Sequence, residues 1–203
     1  KDPTDYSFLP LWDAVLTRVG LERRKPRLQV TQENIREVLR FRWGRKEKLK
    51  VVADYGPVEL WDVSMITDMH RLFFKLQYLN IDLKLWDVSS VESMVSMFHG
   101  CEDFNCDLPW DTRSLRDARG MFGNCYDFNG NISNWNTSNV TDMSGMFRKA
   151  RSFSGDLNNW DVRNVTDFDR IFLYCQAMHR GLVSSWRLQN PRFLYRSLPN
   201  CPV

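Results

Sequence analysis

Tryptophan recurs along this chain at a nearly constant interval, and this regularity constrains the fold more than any other feature. A fixed period of this length is the signature of a repeat protein, in which one unit cannot bury its own apolar face and neighbouring units do so together. The sequence therefore predicts stacked units. The repeated residues are Trp61, Trp86, Trp110, Trp135, Trp160 and Trp186, at spacings of 25, 24, 25, 25 and 26 residues.

The residues that follow each tryptophan repeat with it. Counting the tryptophan as position 0, positions 5, 8, 11, 12, 15, 18 and 22 are apolar or small in all five units. Stacking turns each such column into a ladder within one core, with a rise of about 4.8 Å per coil. In the fourth unit these residues are Val140, Met143, Met146, Phe147, Ala150, Phe153 and Leu157.

Each unit carries one helical and one extended pattern. Positions 8, 11, 12 and 15 follow the i, i+3, i+4, i+7 spacing of a helix, and the pair Thr141-Asp142 supplies an N-cap. The stretch 104–108 alternates apolar and polar residues like a short strand. The sequence thus predicts an α/β repeat, a short leucine-rich-repeat-like solenoid of about five coils with a helical N-terminal cap and extended flanks.

The best copy of the motif reads WNTSNVTDMSGMF over residues 135–147. It resembles the BspA-like leucine-rich-repeat family, of the type found in bacterial surface lipoproteins and in microalgal and protist proteins, and the resemblance covers residues 58 to about 182. It implies a binding or adhesion module without assigned chemistry. The lead-in at 34–39 and 55–58 is similar to the capping head of the algal type, which places an organelle, such as a plastid, ahead of the cell surface as the location.

The chain divides into four segments. Residues 1–30 are predicted to form an arm, 31–57 a helical cap, 58–182 the repeats, and 183–203 a C-terminal cap or tail. The cap begins at Thr31, places Ile35, Val38 and Leu39 on one face, and ends before Gly56-Pro57. We expect it to cover the open edge of the first coil, which would otherwise invite aggregation.

The two flanks are aromatic and basic and have no place in the repeat. Three interpretations of the N-terminal arm stay open: it packs back on the repeats, it inserts into a protein partner, or it lies on a membrane surface as a peripheral contact. The C-terminal stretch raises the same question. The candidate partner-binding residues are Phe8, Leu11, Trp12, Leu16, Arg23, Arg24, Trp186, Phe193 and Tyr195.

The residue types that carry chemistry point to structural roles. Cys101, Cys125 and Cys175 share one column with Ala150, which favours packing over disulfides or zinc. The aspartates at position 1, with Asn136 as an equal substitute, favour turn capping over calcium binding. No catalytic motif, cofactor site or metal site is predicted, and no nucleic-acid partner, because residues 61–180 hold 12 Lys/Arg against 16 Asp/Glu.

These observations predict a non-enzymatic protein-protein interaction or scaffold protein, held by its flanks as an accessory structural subunit of a larger assembly. The alternative is a cell-surface adhesion or glycan-binding module, with exposed aromatic and Asn/Asp side chains near the bends making the contacts. An enzyme is not expected, because short coils rarely form a deep polar cleft.

Overall fold

The computed structural model describes residues 29–39, 51 and 54–186. Helix α1 spans Ile35–Leu39, helical residues recur at 51, 54 and 55, and two 3-10 helices span Val58–Leu60 and Arg180–Val183. Within these ranges the five units contain no strand, and neighbouring units are joined by isolated parallel bridges. The bridged pairs are Asp68–Ser93, Ser93–Asp117, Asp117–Asp142 and Asp142–Asp167.

The prediction of an α/β leucine-rich-repeat-like solenoid was wrong. Between residues 61 and 179 the described chain has neither an α-helix nor a strand, and turns build every unit. The caps predicted for helices close turns instead: Asp142 Oδ1 accepts the amide of Ser144 at 2.8 Å. Most of the predicted arm, part of the predicted cap and most of the C-terminal tail lie outside the described residues.

Positions 8–14 of each unit form what we call the turn ribbon: residues 69–75, 94–100, 118–124, 143–149 and 168–174. In the fourth unit the amide of Met146 donates to Met143 at 3.1 Å, and that of Ala150 to Phe147 at 2.9 Å. Between the donors and acceptors stand residues with positive φ, Gly145 at 61° and Lys149 at 63°. A left-handed residue interrupts a helix, so these two turns bury the predicted apolar set without forming one.

The ribbons are joined to one another through their backbones. Amides at positions 8, 10, 12 and 14 donate to carbonyls at positions 7, 9, 11 and 13 of the next unit. At the middle of the stack, Phe98 donates to Met121 at 3.0 Å and Phe122 to Met146 at 2.8 Å. The pattern recurs at all four junctions, so the repeat period in the sequence is the period of the stack.

Aromatic ladders fill the core between the ribbons and the tryptophans. Phe122 is fully buried, with ring centroids 5.6 Å from Phe98, 5.6 Å from Phe147 and 4.0 Å from Phe128. The tryptophans form a second ladder, 6.0 Å apart for Trp110–Trp135 and 6.1 Å for Trp135–Trp160. Their indole N–H groups donate to backbone carbonyls; that of Trp135 reaches Leu108 at 2.8 Å.

The segment before the repeats covers the first turn ribbon with side chains as well as with an apolar face. Gln32 accepts the amide of Asp68 at 2.9 Å and donates to its carbonyl at 2.9 Å. Arg36 donates to the carbonyl of His70 and pairs with the Asp68 carboxylate. Ile35 and Leu39 are buried against the core. Backbone groups that a preceding unit would satisfy are therefore satisfied by side chains.

The two polar columns that the sequence assigned to structure have those roles. At position 1 the aspartates and Asn136 accept the amide two residues on, as in Asn136 to Ser138 at 3.1 Å, which confirms turn capping. Cys101, Cys125 and Cys175 are buried and free of disulfides, which confirms packing. Burial raises the pKa of Cys101 and of Cys175 to about 12, so these thiols stay protonated.

Candidate functional site

The turn ribbons carry a positive surface, although the repeat region as a whole is acidic. Of the 12 Lys/Arg in residues 61–180, six lie on the ribbons, whereas only one of the 16 Asp/Glu does. The carboxylates therefore stand on the remaining turns and bends of each unit. We call the ribbon surface the basic turn face. Its cations are Arg71, Lys75, Arg119, Arg148, Lys149 and Arg170, and its one carboxylate is Asp169.

Four of these cations have no carboxylate partner among the described residues. Other arginines of the repeats are paired: on the ribbons Arg119 lies 2.8 Å from Asp117 and Arg170 lies 3.3 Å from Asp169. Off the ribbons, Arg163 lies 2.7 Å from Asp161. The four unpaired cations, Arg71, Lys75, Arg148 and Lys149, stand in the first and fourth units. Their charge is left uncompensated by the described part of the chain.

In the first unit the cations are gathered on an aromatic ring. The Arg71 guanidinium lies 4.9 Å from the centre of the Phe74 ring, and Lys75 Nζ lies 5.3 Å from it. The His99 ring stacks on Phe74 at 5.4 Å. Cation–π contact and stacking hold these groups together, which keeps the positive charge concentrated.

His99 links this end of the face to the centre. Its Nε2 lies 2.9 Å from the Asn124 amide nitrogen, and it occupies the space that a side chain at Gly123 would need, since a Cβ there would lie 2.6 Å from Nδ1. Burial lowers the pKa of His99, and the charges of Arg148, Lys75 and Arg71 lower it further, against a raising hydrogen bond with the Gly120 backbone. The imidazole is therefore held neutral among three cations.

Arg148 brings the fourth unit to the same face. Its Nε atom is buried and has no hydrogen-bond partner among the described residues, although the residue as a whole is only half-buried. A buried guanidinium N–H without an acceptor costs free energy, so the Arg148 side chain gains little from the chain itself at this position.

A groove of about 710 Å³ lies beside the basic turn face, between α1 and the first ribbon. Its wall carries charged and polar groups together with apolar side chains such as Phe74; the polar groups come from Arg36, Asp68, His70, Arg71 and Lys75. Arg36 is already engaged with Asp68. The groove extends the positive surface toward the N-terminal end of the repeats.

Of the residues that the sequence nominated for partner binding, only Trp186 is described. It is 8% exposed, stacks on Trp160 at 6.4 Å and donates its indole N–H to Leu157 at 2.9 Å. It forms the last rung of the tryptophan ladder. The other nominated residues, Phe8, Leu11, Trp12, Leu16, Arg23, Arg24, Phe193 and Tyr195, lie outside the described residues, and their role stays a prediction.

Sequence reasoning missed the basic turn face because charges were counted along the chain. A count by repeat column would have separated six cations and one carboxylate from the acidic background. In the part of the chain that the structure describes, no three His, Cys, Asp or Glu side chains are grouped to hold a metal ion. No helix within the same ranges has the length and hydropathy needed to cross a bilayer.

The lowered pKa of His99 predicts an acid-sensitive stability. In the unfolded chain the imidazole has its ordinary pKa of about 6.5, whereas its pKa in the folded chain is lower. Below about pH 6.5 the unfolded chain therefore binds more protons than the folded chain, and the free energy of unfolding decreases as the pH falls toward the folded pKa. The loss in free energy of unfolding between about pH 7.5 and pH 5.5 should therefore be smaller in His99→Gln than in the wild type. Urea unfolding at each pH measures it. The exposed His179 is the control: if His179→Gln reduced the loss as much, the assignment to His99 would be wrong.

The stacked ribbons and their charged face define a repeat protein whose core is filled column by column. The profile of the family described as "Mycoplasma protein of unknown function, DUF285" matches residues 47–125 and 108–198. These matches cover more than half of the 203 residues, and the chain belongs to the DUF285 family. Neither a curated protein nor a solved structure matches it.

Proposed function

We propose that this chain is a non-enzymatic protein-binding repeat protein that serves as an accessory structural subunit of a larger assembly, and that the basic turn face is a binding surface. The observation that carries the proposal is a set of four cations on one face that have no carboxylate partner among the described residues. The apolar columns of the same stack are buried in its own core. Charge that the chain does not neutralise itself favours association with a surface of opposite sign.

We also propose that the repeats are of the BspA-like type, as binding or adhesion modules. Membership of the DUF285 family and the tryptophan-phased motif support this finer assignment. The predicted contribution of residues 1–30, to a protein partner or to a membrane surface, and a location in an organelle belong to the same proposal. The aromatic and basic residues of the flanks support the contact. The similarity of the lead-in at 34–39 and 55–58 to the capping head of the algal type supports the location.

Zero-length carbodiimide cross-linking in a native extract tests the assembly role, because the reagent joins a lysine only to a carboxylate in direct contact. We expect Lys75 and Lys149 to be joined to acidic residues of one recurring protein. Lys84, which lies 3.7 Å from Asp82 off the ribbons, is the internal reference for lysines already paired within the chain. A chain that migrates as a monomer, with links only to itself, would contradict the proposal.

A glycan-binding module is the second candidate, and exposed tyrosines favour it. Tyr78 is 78% exposed and Tyr174 is 60% exposed, and aromatic rings of this kind stack on sugars. Binding to a glycan array that Tyr78→Ala and Tyr174→Ala abolish, without cross-links to a protein, would favour this function over the first.

A further inference from the structure

We infer that the basic turn face binds an acidic polypeptide segment laid along the stack, with carboxylates at Arg71 and Lys75 at one end and at Arg148 and Lys149 at the other. The inference rests on the proposed function and names the class of its partner. Its central observation is that the cations which the described chain leaves unpaired lie on the first and fourth ribbons of one face.

Arg71 lacks a carboxylate partner because of the residues that surround it in the first unit. In the fifth unit Arg170 at position 10 is neutralised by Asp169 at position 9. In the first unit Arg71 occupies position 10, but His70 stands at position 9, and the nearby Asp68 is engaged by Arg36. The first unit therefore keeps the cation and lacks its carboxylate, and an external carboxylate would supply the partner.

The distance between the first and fourth ribbons suits a short extended segment. Three junctions separate the first and fourth units, which at about 4.8 Å per junction gives about 14 Å. An extended chain advances about 3.3 Å per residue, and residues i and i+4 point to the same side. Carboxylates about four residues apart would thus reach Arg71 and Arg148 together.

The surface between the first and fourth ribbons is lined mainly by small residues. The second and third ribbons contribute Ser96, Gly100, Gly120 and Gly123 there, and His99 is half-buried in the space above Gly123. The large side chain of the third ribbon, Arg119, is held by Asp117 at 2.8 Å, so a peptide backbone could approach the small residues beside it. The small residues leave room for a peptide, whereas the cations on the first and fourth ribbons attract its carboxylates.

A protein segment fits the face better than a long polyanion. The Phe74 ring is already covered by Arg71, Lys75 and His99, so it is not free for a nucleic-acid base to stack on. Fifteen of the 16 carboxylates of residues 61–180 stand off the ribbons and would repel a polyanion that extended past this face. A short segment would stay within the positive area.

The test measures binding of a short fluorescent peptide to the full chain by anisotropy. Its glutamates stand about four residues apart in a Gly-Ser background, and a glutamine version is the neutral reference. We expect the glutamate peptide to bind with an affinity that falls as salt is raised, and the glutamine peptide not to bind. Lys75→Glu/Arg148→Glu should weaken binding by about tenfold or more.

A control with the same change in net charge lies off the ribbons. Lys84→Glu/Arg116→Glu should leave the affinity within about twofold of the wild type. Thermal unfolding verifies that each variant is folded, and Lys75→Gln/Arg148→Gln replaces the charge reversal if that variant fails to fold. Equal loss in the control pair, equal binding of the glutamine peptide, or tighter binding of a heparin or RNA oligomer would overturn the inference.

The two proposals can fail separately. If the peptide does not bind but Lys75 and Lys149 still cross-link to another protein in native extracts, the acidic-segment inference is wrong and the assembly role stands. If the peptide binds as expected and no cross-link to another chain forms, the surface is correctly described and the assembly role is wrong.

Discussion

Replacing Phe122 by alanine is expected to lower the free energy of unfolding by about 3–5 kcal/mol. Phe122 is fully buried and is the middle ring of its ladder. Its ring meets Phe98 and Phe147 in the neighbouring units and Phe128 within its own. Alanine would leave a cavity that ribbons fixed by backbone hydrogen bonds on both sides cannot close.

Urea unfolding followed by tryptophan fluorescence measures this loss. The matched control is Tyr78→Ala, which removes an aromatic ring that is 78% exposed and should change stability by no more than about 0.5 kcal/mol. A Phe122→Ala variant that unfolds at nearly the wild-type urea concentration would show that the aromatic ladder is not the main source of stability.

The core columns could be predicted from the sequence because the tryptophan phase fixes them. The apolar columns are buried throughout, with Leu76, Val165 and Leu182 half-buried at their margins. Any arrangement that stacks five units must bury the columns that are apolar in every unit. The repeat period alone is therefore enough to predict which columns are buried.

The backbone conformation inside a unit could not be derived in the same way. A helix and two successive turns both place positions 8, 11, 12 and 15 on one side, so apolar spacing does not separate them. The separating signal is the residue type at the left-handed positions, where Gly120 and Gly145 stand at position 10 and Gly100 at position 14. Arg71 and Lys75 occupy the same positions in the first unit and obscure the pattern.

The predicted strand at 104–108 failed for a different reason. The alternation exists, with Phe104 and Leu108 buried and Asn105 and Asp107 exposed. However, the side chains of Asn105 and Asp107 accept the amides of the next unit, at 2.9 Å each, where a strand would use its own carbonyls. Extended polar residues that can accept a hydrogen bond thus replace the sheet ladder, and sequence alternation does not reveal this.

Prediction of the candidate site requires both the repeat columns and the knowledge that positions 8–14 form turns. Cations at Lys75 and Arg148 are 73 positions apart in the numbering, and a count along the chain averages them with the surrounding aspartates. Once positions 8–14 are known to form one continuous ribbon surface, the same residues become one patch. Column-wise charge is therefore the quantity to compute for a repeat chain of this kind.

Gly130→Ala is the second change expected to have a large effect. A Cβ at this position would lie 2.0 Å from the carbonyl oxygen of Cys106 in the preceding unit, far inside contact distance. The backbone has little freedom to move away, because the amides of Asn129 and Asn131 on either side are held by Asn105 and Asp107. We expect a loss of about 3 kcal/mol or more in the free energy of unfolding.

Gly145→Ala separates this steric clash from the ordinary cost of replacing a glycine. Gly145 has a φ of 61°, but a Cβ there would meet nothing closer than 4.0 Å, so only the left-handed conformation is penalised, by about 1 kcal/mol. Thermal and urea unfolding of the two variants should rank Gly130→Ala as clearly less stable. Because the clash in Gly130→Ala is with a neighbouring unit, equal stability of the two variants would mean that these bends lie further apart than the contact between Gly130 and Cys106 requires.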